Sequence, residues 1–365
     1  MILYSVISIL QLLEKLSSNM ERAMVDKKFM VLASILFSMM VLFVNISLGQ
    51  LKVGTTAVPF LGISVGPRAT AMGGAFAAVS DDATSLYYNP GAFSQTRKSQ
   101  LIIAHTNWLV STNLNWLGFI LNLDGANAIG FSFTQLDYGE EEVTTVFQPE
   151  GTGEKWAARD VVVAFSYARN LTERFSMGGS AKYIQQQLWN ESATAFALDV
   201  GLLFITQFND MKLGMSISNF GTDMKLDGKD LLHRIDLDPE ALGNNETIMS
   251  KLKVDSWPLP LFFRVGVAMD LLRSGNSRLT IALDAFRPSD NTETLNLGGE
   301  FAFNNMFFLR GGYKSLFRND SEEGLTLGVG VHLNWGGNLT WNFDYTYADF
   351  GLFEDIQMIA IGASF

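Results

Sequence analysis

Catalysis by acid–base or nucleophilic chemistry needs imidazoles, thiols or carboxylates that converge on one point. This chain carries three histidines, His105, His233 and His332, and no cysteine, which excludes a thiolate nucleophile and a cysteine-based zinc site. The histidines fall on the first predicted strand, a long loop and the twelfth predicted strand, so nothing in their spacing gathers them. His332 shares a face with Glu300 and Asp344 and reads either as part of a polar network with them or simply as interior polarity. An acyl-transfer site on a lipid-facing surface would need a serine beside such a histidine, and the alternation turns His332 the other way. The acidic run Gly139-Glu140-Glu141-Glu142 and the segment 223–240 lack the D-x-[DN]-x-[DN]-G spacing of a calcium loop and read as solvated surface loops. Gly62-x-x-x-Gly66 and Met72-Gly73-Gly74 lack the following Lys-Ser/Thr of a phosphate loop and read as close packing. The expectation is therefore no enzyme, no cofactor and no metal.

The elements around these residues are those of an all-β protein. The composition is 48% hydrophobic and 12% aromatic, with 33 glycines against 8 prolines. A net charge of −11 without any basic cluster argues against nucleic acid as a partner. Asp26-Lys27-Lys28 precedes an apolar run, Phe29 to Leu48, that ends in small and polar residues near Gly49-Gln50. That is the pattern of a secretory signal peptide, with a membrane-anchoring helix as the competing reading. Met24 makes the more conventional start, which would leave residues 1–23 outside the natural chain.

From Ser99 onward, apolar and polar residues alternate with period two in fourteen segments, the first 99–110 and the last 356–365. In 338–347, Leu339, Trp341, Phe343, Tyr345 and Tyr347 face one way and Asn338, Thr340, Asn342, Asp344 and Thr346 the other. Segment lengths near ten suit tilted transmembrane strands. Short connections built from Gly, Asn, Asp or Ser alternate with mostly longer ones, above all Gly139 to Ala157 and Gly221 to Leu259, as in barrels that turn tightly at one membrane face and loop out at the other. The final strand ends on Phe365, an aromatic terminus of the kind that marks outer-membrane barrels for assembly.

Charge decides which face meets lipid, because a charge at the bilayer midplane of a barrel exterior costs about 2–4 kcal/mol. Lys182, Asp199, Arg264, Asp270, Asp284, Glu300, His332 and Asp344 should therefore point inward, on a face otherwise rich in Gly, Ala, Ser and Thr. The stretch Gly66 to Gln95 does not alternate, and it is the natural filling for that interior. The fold class is then a fourteen-stranded antiparallel transmembrane β-barrel with an N-terminal hatch: signal region 1–50, hatch 51–98, barrel 99–365. Within the hatch, Arg68, Met72, Gly73, Gly74, Asp81, Asp82, Asn89 and Pro90 are the candidate gate residues, and Tyr87, Tyr88 and Phe93 a candidate apolar pocket. Asp81 and Asp82 suit the start of a helical turn that Asn89-Pro90-Gly91 stops. Arg68 is the only Lys or Arg between Lys52 and Arg97, so within the barrel it needs a partner among Asp199, Asp284, Glu300 and Asp344, as a structural latch or as a gate or ligand anchor.

The residues FLGISVGPRATAMGGAFAAVSDDATSLYYNPGAF, Phe60 to Phe93, resemble the N-terminal signature of the PorV/PorQ family, with Gly91 where that family usually has Ala after Asn-Pro. The resemblance implies a FadL-like barrel of the bacterial outer membrane, bounded by lipid. It implies two roles: a component of type IX protein secretion that receives exported proteins through a C-terminal sorting signal, or a transporter that admits hydrophobic small molecules through the hatch. It is closer to the first. On that reading the two long connections form the docking surface.

Overall fold

The computed structural model describes residues 52–365 apart from Ser80, 237–239, 241–247, 319–320, Gly337 and Glu354. The signal region 1–50 therefore lies outside the described residues.

Fourteen long strands form one closed antiparallel sheet: β1 Gln100–Asn107, β2 Asn113–Asn122, β3 Asn127–Glu142, β4 Lys155–Thr172, β5 Phe175–Leu188, β6 Glu191–Ile205, β7 Lys212–Gly221, β8 Phe262–Ser274, β9 Ser277–Pro288, β10 Thr294–Phe303, β11 Phe307–Leu316, β12 Leu325–Asn334, β13 Thr340–Ala348 and β14 Ile356–Ser364. Each pairs with the next, and β14 returns to β1 from Gln100↔Ser364 to Asn107↔Gln357, so the barrel has no free edge.

The alternation sets the two faces as expected. In β12, Leu325, Leu327 and Val329 are exposed while Thr326, Gly328 and Gly330 are buried. In β6, Phe196, Leu198 and Val200 point out, and Ala195, Ala197 and Asp199 point in. The outer surface is a continuous apolar band that only lipid can cover without a large cost. At one end the hairpins turn on residues that tolerate positive φ, such as Asn209-Asp210 (φ 48° and 49°) and Asn304-Asn305 (φ 54° and 50°). This is the turn end; the longer connections leave from the opposite, loop end.

Both long connections carry more strand than the sequence suggests. The hairpin of β3 and β4 continues past the apolar alternation, with Glu140↔Ala157 and Glu142↔Lys155 still paired, so the acidic run belongs to a strand and not to a loop. Beyond the lipid both faces meet water, and backbone pairing proceeds there without any period-two signal in the side chains. Within 221–259, Met224–Lys225 pairs with Ser256–Trp257, Leu232–Ile235 pairs with Ile248–Lys251, and Asp227–Gly228 adds to the end of β6.

Inside the barrel, residues 58–96 fold as short turns around two brief helices, α1 Pro67–Ala71 and α2 Ser85–Tyr88. Met72, Phe76, Leu86, Tyr88 and Phe93 are almost wholly buried among them. An irregular backbone is stable at membrane depth only if protein groups satisfy it. The wall supplies them: Thr346 donates to the Pro67 carbonyl (2.6 Å), Thr326 to Ala71 (3.0 Å) and Ser216 to Tyr88 (2.8 Å). Asp284 accepts the amides of Phe76 (2.8 Å) and Ala77 (2.7 Å).

Candidate functional site

The lumenal segment reaches the wall because the wall offers glycine where the backbone arrives. Gly298, Gly312 and Gly328 lie against the end of α1, and Gly178, Gly201 and Gly214 against Asn89 to Gly91 and Ala77. Gly73 (φ +64°) turns the chain back at that point, and a Cβ on it would stand 2.7 Å from the Leu297 carbonyl oxygen. The following Gly74 also has positive φ (+76°). Gly91 has a local cause as well, since a Cβ there would overlap the carbonyl of Gly201.

Arg68 on α1 is the centre of the charged contacts. Its guanidinium makes a two-pronged pair with Glu300 on β10 (Nε 2.7 Å, Nη2 3.0 Å), while Nη1 reaches Asp81 (2.5 Å) and Asp82 (2.9 Å). Glu300 also accepts from Arg310 on β11 (2.9 Å) and Arg278 on β9 (2.9 Å), and Arg310 continues to Asp344 on β13 (2.5 Å). Four wall strands are thus tied to one another and to the lumenal segment. Burial alone would raise Asp81, yet Arg68, with Lys212 beyond it, holds that carboxyl below its ordinary value. Asp82 is pushed above its ordinary value by burial, against the opposing pull of Arg68.

Of the four carboxylates considered as partners for Arg68, Glu300 takes it and the others are engaged elsewhere. Asp199 pairs with Lys182 (2.6 Å) and accepts the Asn219 amide (2.8 Å) at a bulge between β6 and β7; Asp284 holds the backbone of Phe76 and Ala77; Asp344 takes Arg310. Asp270 lies on the inner face near the turn end, bonded to Arg273 and Thr280. Arg264 lies among four rings, 4.7 Å from the centroid of Phe286 and 5.2 Å from that of Tyr87, with Tyr88 and Phe262 beside it. His332 stacks on Phe308 at 4.2 Å; His105 bonds Asn115 and Asn107 on the loop half of the wall, and His233 is exposed in the long connection.

The residues expected to form a gate occupy distinct places. Asp82 accepts both the amide (2.8 Å) and the hydroxyl (2.5 Å) of Thr84 and so leads into α2, as an acid before a helical turn should. Asn89 donates to Ala77 (2.8 Å) and to Leu202 in the wall (2.9 Å), and the Pro90 carbonyl lies against Gly178. Tyr88 and Phe93 are packed core: Tyr88 meets Phe76 edge-on at 5.5 Å and Tyr87 at 4.8 Å.

Space remains above and below this filling. At the turn end a polar vestibule of about 620 Å³ is lined by Arg68, Asp81, Arg97, Lys212 and Asp270, and a second of about 510 Å³ by Asp82, His332 and Asp344 among others. At the loop end an apolar cavity of about 620 Å³ lies between Val58 and Pro59 of the lumenal segment, Trp156 of β4, and Leu226 and Trp257 of the long connection. The three residues expected to line an apolar pocket are thus not those around this cavity. Arg310 and Asp160 were missed although both stand at inward parity, Arg310 between outward Leu309 and the glycines, Asp160 two before Val162. Arg278 sits so near a tight turn that alternation has no length in which to register.

In fold the chain is similar to the CymD monoaromatic hydrocarbon channel, with a TM-score of 0.54 and 14% identity over 82% of this chain and 96% of that one. It is similar also to the Ralstonia pickettii toluene transporter TbuX, with a TM-score of 0.50 and 13% identity over 83% of this chain and 98% of that one. A Pseudomonas aeruginosa FadL homologue gives a TM-score of 0.48 and 11% identity over 82% and 96%. No curated protein sequence matches the chain. The model of the family described as type IX secretion system protein PorV matches residues 47–230, just over half of the chain. With the lipid-facing band and the closed fourteen-stranded wall, that match places the protein in the bacterial outer membrane, and the chain belongs to the PorV family.

Proposed function

We propose that the protein is a non-enzymatic component of type IX-like secretion that holds an exported protein at the loop end of the barrel. The observation that carries this reading is the loop-end cavity, which is apolar, opens among the β3–β4 hairpin and the 221–259 connection, and is bounded by Ala57, Val58 and Pro59 of the lumenal segment, of which Val58 belongs to the buried core. A site closed below suits retention of a partner better than passage through the bore. The expected partners are exported proteins with a C-terminal sorting signal. Lipid covers the outer band.

The apolar lining also favours a second reading, in which Arg68 and the lumenal segment act as a gate and the cavity admits a hydrophobic small molecule. Gentle detergent extraction separates the two. Wild-type protein should bring down exported proteins carrying the sorting signal, and a variant with Leu226→Ser and Trp257→Ser, both in the cavity lining, should lose them while still folding as a barrel. If both forms carry only a bound hydrophobic compound, the transport reading replaces the first.

A further inference from the structure

Resting on the docking reading, we infer that Asn219 is a positioning residue: with Lys182 and Asp199 it fixes the direction in which the 221–259 connection leaves the wall, and so holds the loop-end cavity in the shape a partner enters. One side of that cavity is not supplied by the barrel. Met224, Leu226, Val254, Asp255 and Trp257 come from the two ends of the connection. Met224–Lys225 pairs with Ser256–Trp257, so the two ends travel as one ribbon, and its base is closed by the bond from the Asn219 side chain to the Pro260 carbonyl (3.0 Å).

At that base the wall splits. β7 and β8 pair as far as Ser218↔Phe262, while β7 continues along β6 to Ala197↔Gly221. The sequence prevents a longer ladder. Leu261 bonds Ser289 on the β9 side through both its amide and its carbonyl, which leaves Pro260 facing β7 without an amide to give. In place of a strand neighbour, Asn219 bonds Pro260 by its side chain, accepts from Lys182 (2.9 Å) and donates its backbone amide to Asp199 (2.8 Å).

A wall that only had to close would need none of this. Asn219 is 2% exposed and stands in the left-handed region (φ 66°), beside a bulge that shifts the register from Val200↔Ile217 to Leu198↔Phe220. Lys182 and Asp199 form a buried ion pair where a small residue of the kind found along the rest of the inner face would carry no desolvation cost. Such a pair contributes little net stability once its desolvation is met, whereas it fixes one register, and here the register sets the angle of the departing chain. The lumenal segment meets the same ribbon through the Ala57 amide, which donates to the Pro258 carbonyl (2.9 Å). The gap between Val58 and Trp257 is thus held from two sides, by Ala57 on Pro258 and by Asn219 on Pro260.

The chain has no cysteine, so paired spin labels can be introduced into the full barrel in nanodiscs. Labels at Lys253→Cys on the connection and Arg287→Cys on β9, both exposed and outside the cavity lining, report where the ribbon stands. The distance distribution should be narrow in the otherwise wild-type chain. Asn219→Gly keeps the left-handed backbone and deletes only the side-chain bonds; the distribution should widen about twofold and capture of exported proteins should fall about tenfold, with the heat-dependent gel mobility of a folded barrel retained. Ser218→Ala removes a neighbouring buried hydroxyl that has no hydrogen bond, and should change neither readout. A broad distribution before any change at Asn219, an unaltered one in Asn219→Gly, a widened one with capture unchanged, or the same losses in Ser218→Ala overturns the assignment. Failure of Asn219→Gly to form a barrel overturns it too, because the residue would then serve closure of the wall itself. If the wild-type chain captures no exported protein, the docking reading fails, and the label distances alone decide whether Asn219 directs the connection.

Discussion

Arg68→Ala tests whether the lumenal segment is latched to the wall. The substitution removes four charge-assisted hydrogen bonds, two to Glu300 and one each to Asp81 and Asp82. Glu300 keeps Arg278 and Arg310, and Asp82 keeps both bonds from Thr84. Asp81 loses its guanidinium, but its side chain is 34% exposed and takes water from the vestibule. The cost should therefore fall at the lower end of that for a broken buried pair, about 3 kcal/mol. That shifts the balance between docked and loosened segment by about two decades. The barrel should be unaffected, because its wall closes through β1 and β14 whatever the segment does. In planar bilayers the variant should conduct small ions where the wild type is closed, and protease added from the turn end should cut near residues 81–98. Arg68→Lys should restore closure only in part, since one ammonium cannot match the fork on Glu300. Unchanged conductance together with unchanged protease protection in Arg68→Ala would refute the latch.

The remaining predictions concern how the wall meets the segment. Asp284→Ala removes the acceptor for two buried amides and should lower stability by about 2 kcal/mol, whereas Asp284→Asn keeps an oxygen there and should cost under about 1 kcal/mol. The midpoints of heat-induced unfolding, followed by gel mobility, should separate the two variants, and coincident midpoints would count against the bond to Phe76 and Ala77. Gly91→Ala drives a Cβ into the Gly201 carbonyl and should destabilise by about 1–3 kcal/mol by the same measure. A wild-type midpoint for that variant would show that the wall yields at β6.

Much of the barrel is legible because lipid and lumen impose opposite costs on alternate residues. Leu327 and Thr326 could not exchange places without setting apolar bulk toward the lumen and a hydroxyl against lipid, and Phe196 and Ala197 could not without driving a ring into the filled interior. Asp284, Glu300 and Asp199 follow from the same parity. Where one solvent lies on both sides the signal fails, as in the paired extension Glu140 to Glu142 and in the short strands of 221–259. The partner of Arg68 was legible only as a set of four carboxylates, because the position of α1 along the bore is not encoded by alternation. Gly91 reads in the sequence as a departure from a family pattern, and its cause is a backbone atom 110 residues further on.

The order of residues by itself determined the closed wall, the direction of each strand residue and the filling of the bore by a segment without alternation, since each follows from a local contrast between water and hydrocarbon. Tertiary structure alone decided which charge meets which, that Tyr88 and Phe93 are core, and that the apolar cavity lies at the loop end between Val58 and Trp257. Those outcomes depend on contacts that run from strand to strand and from the segment to the wall, from Arg310 to Glu300 ten positions away up to Arg68 and Glu300, 232 apart, and such distances are fixed only when the sheet closes around the segment.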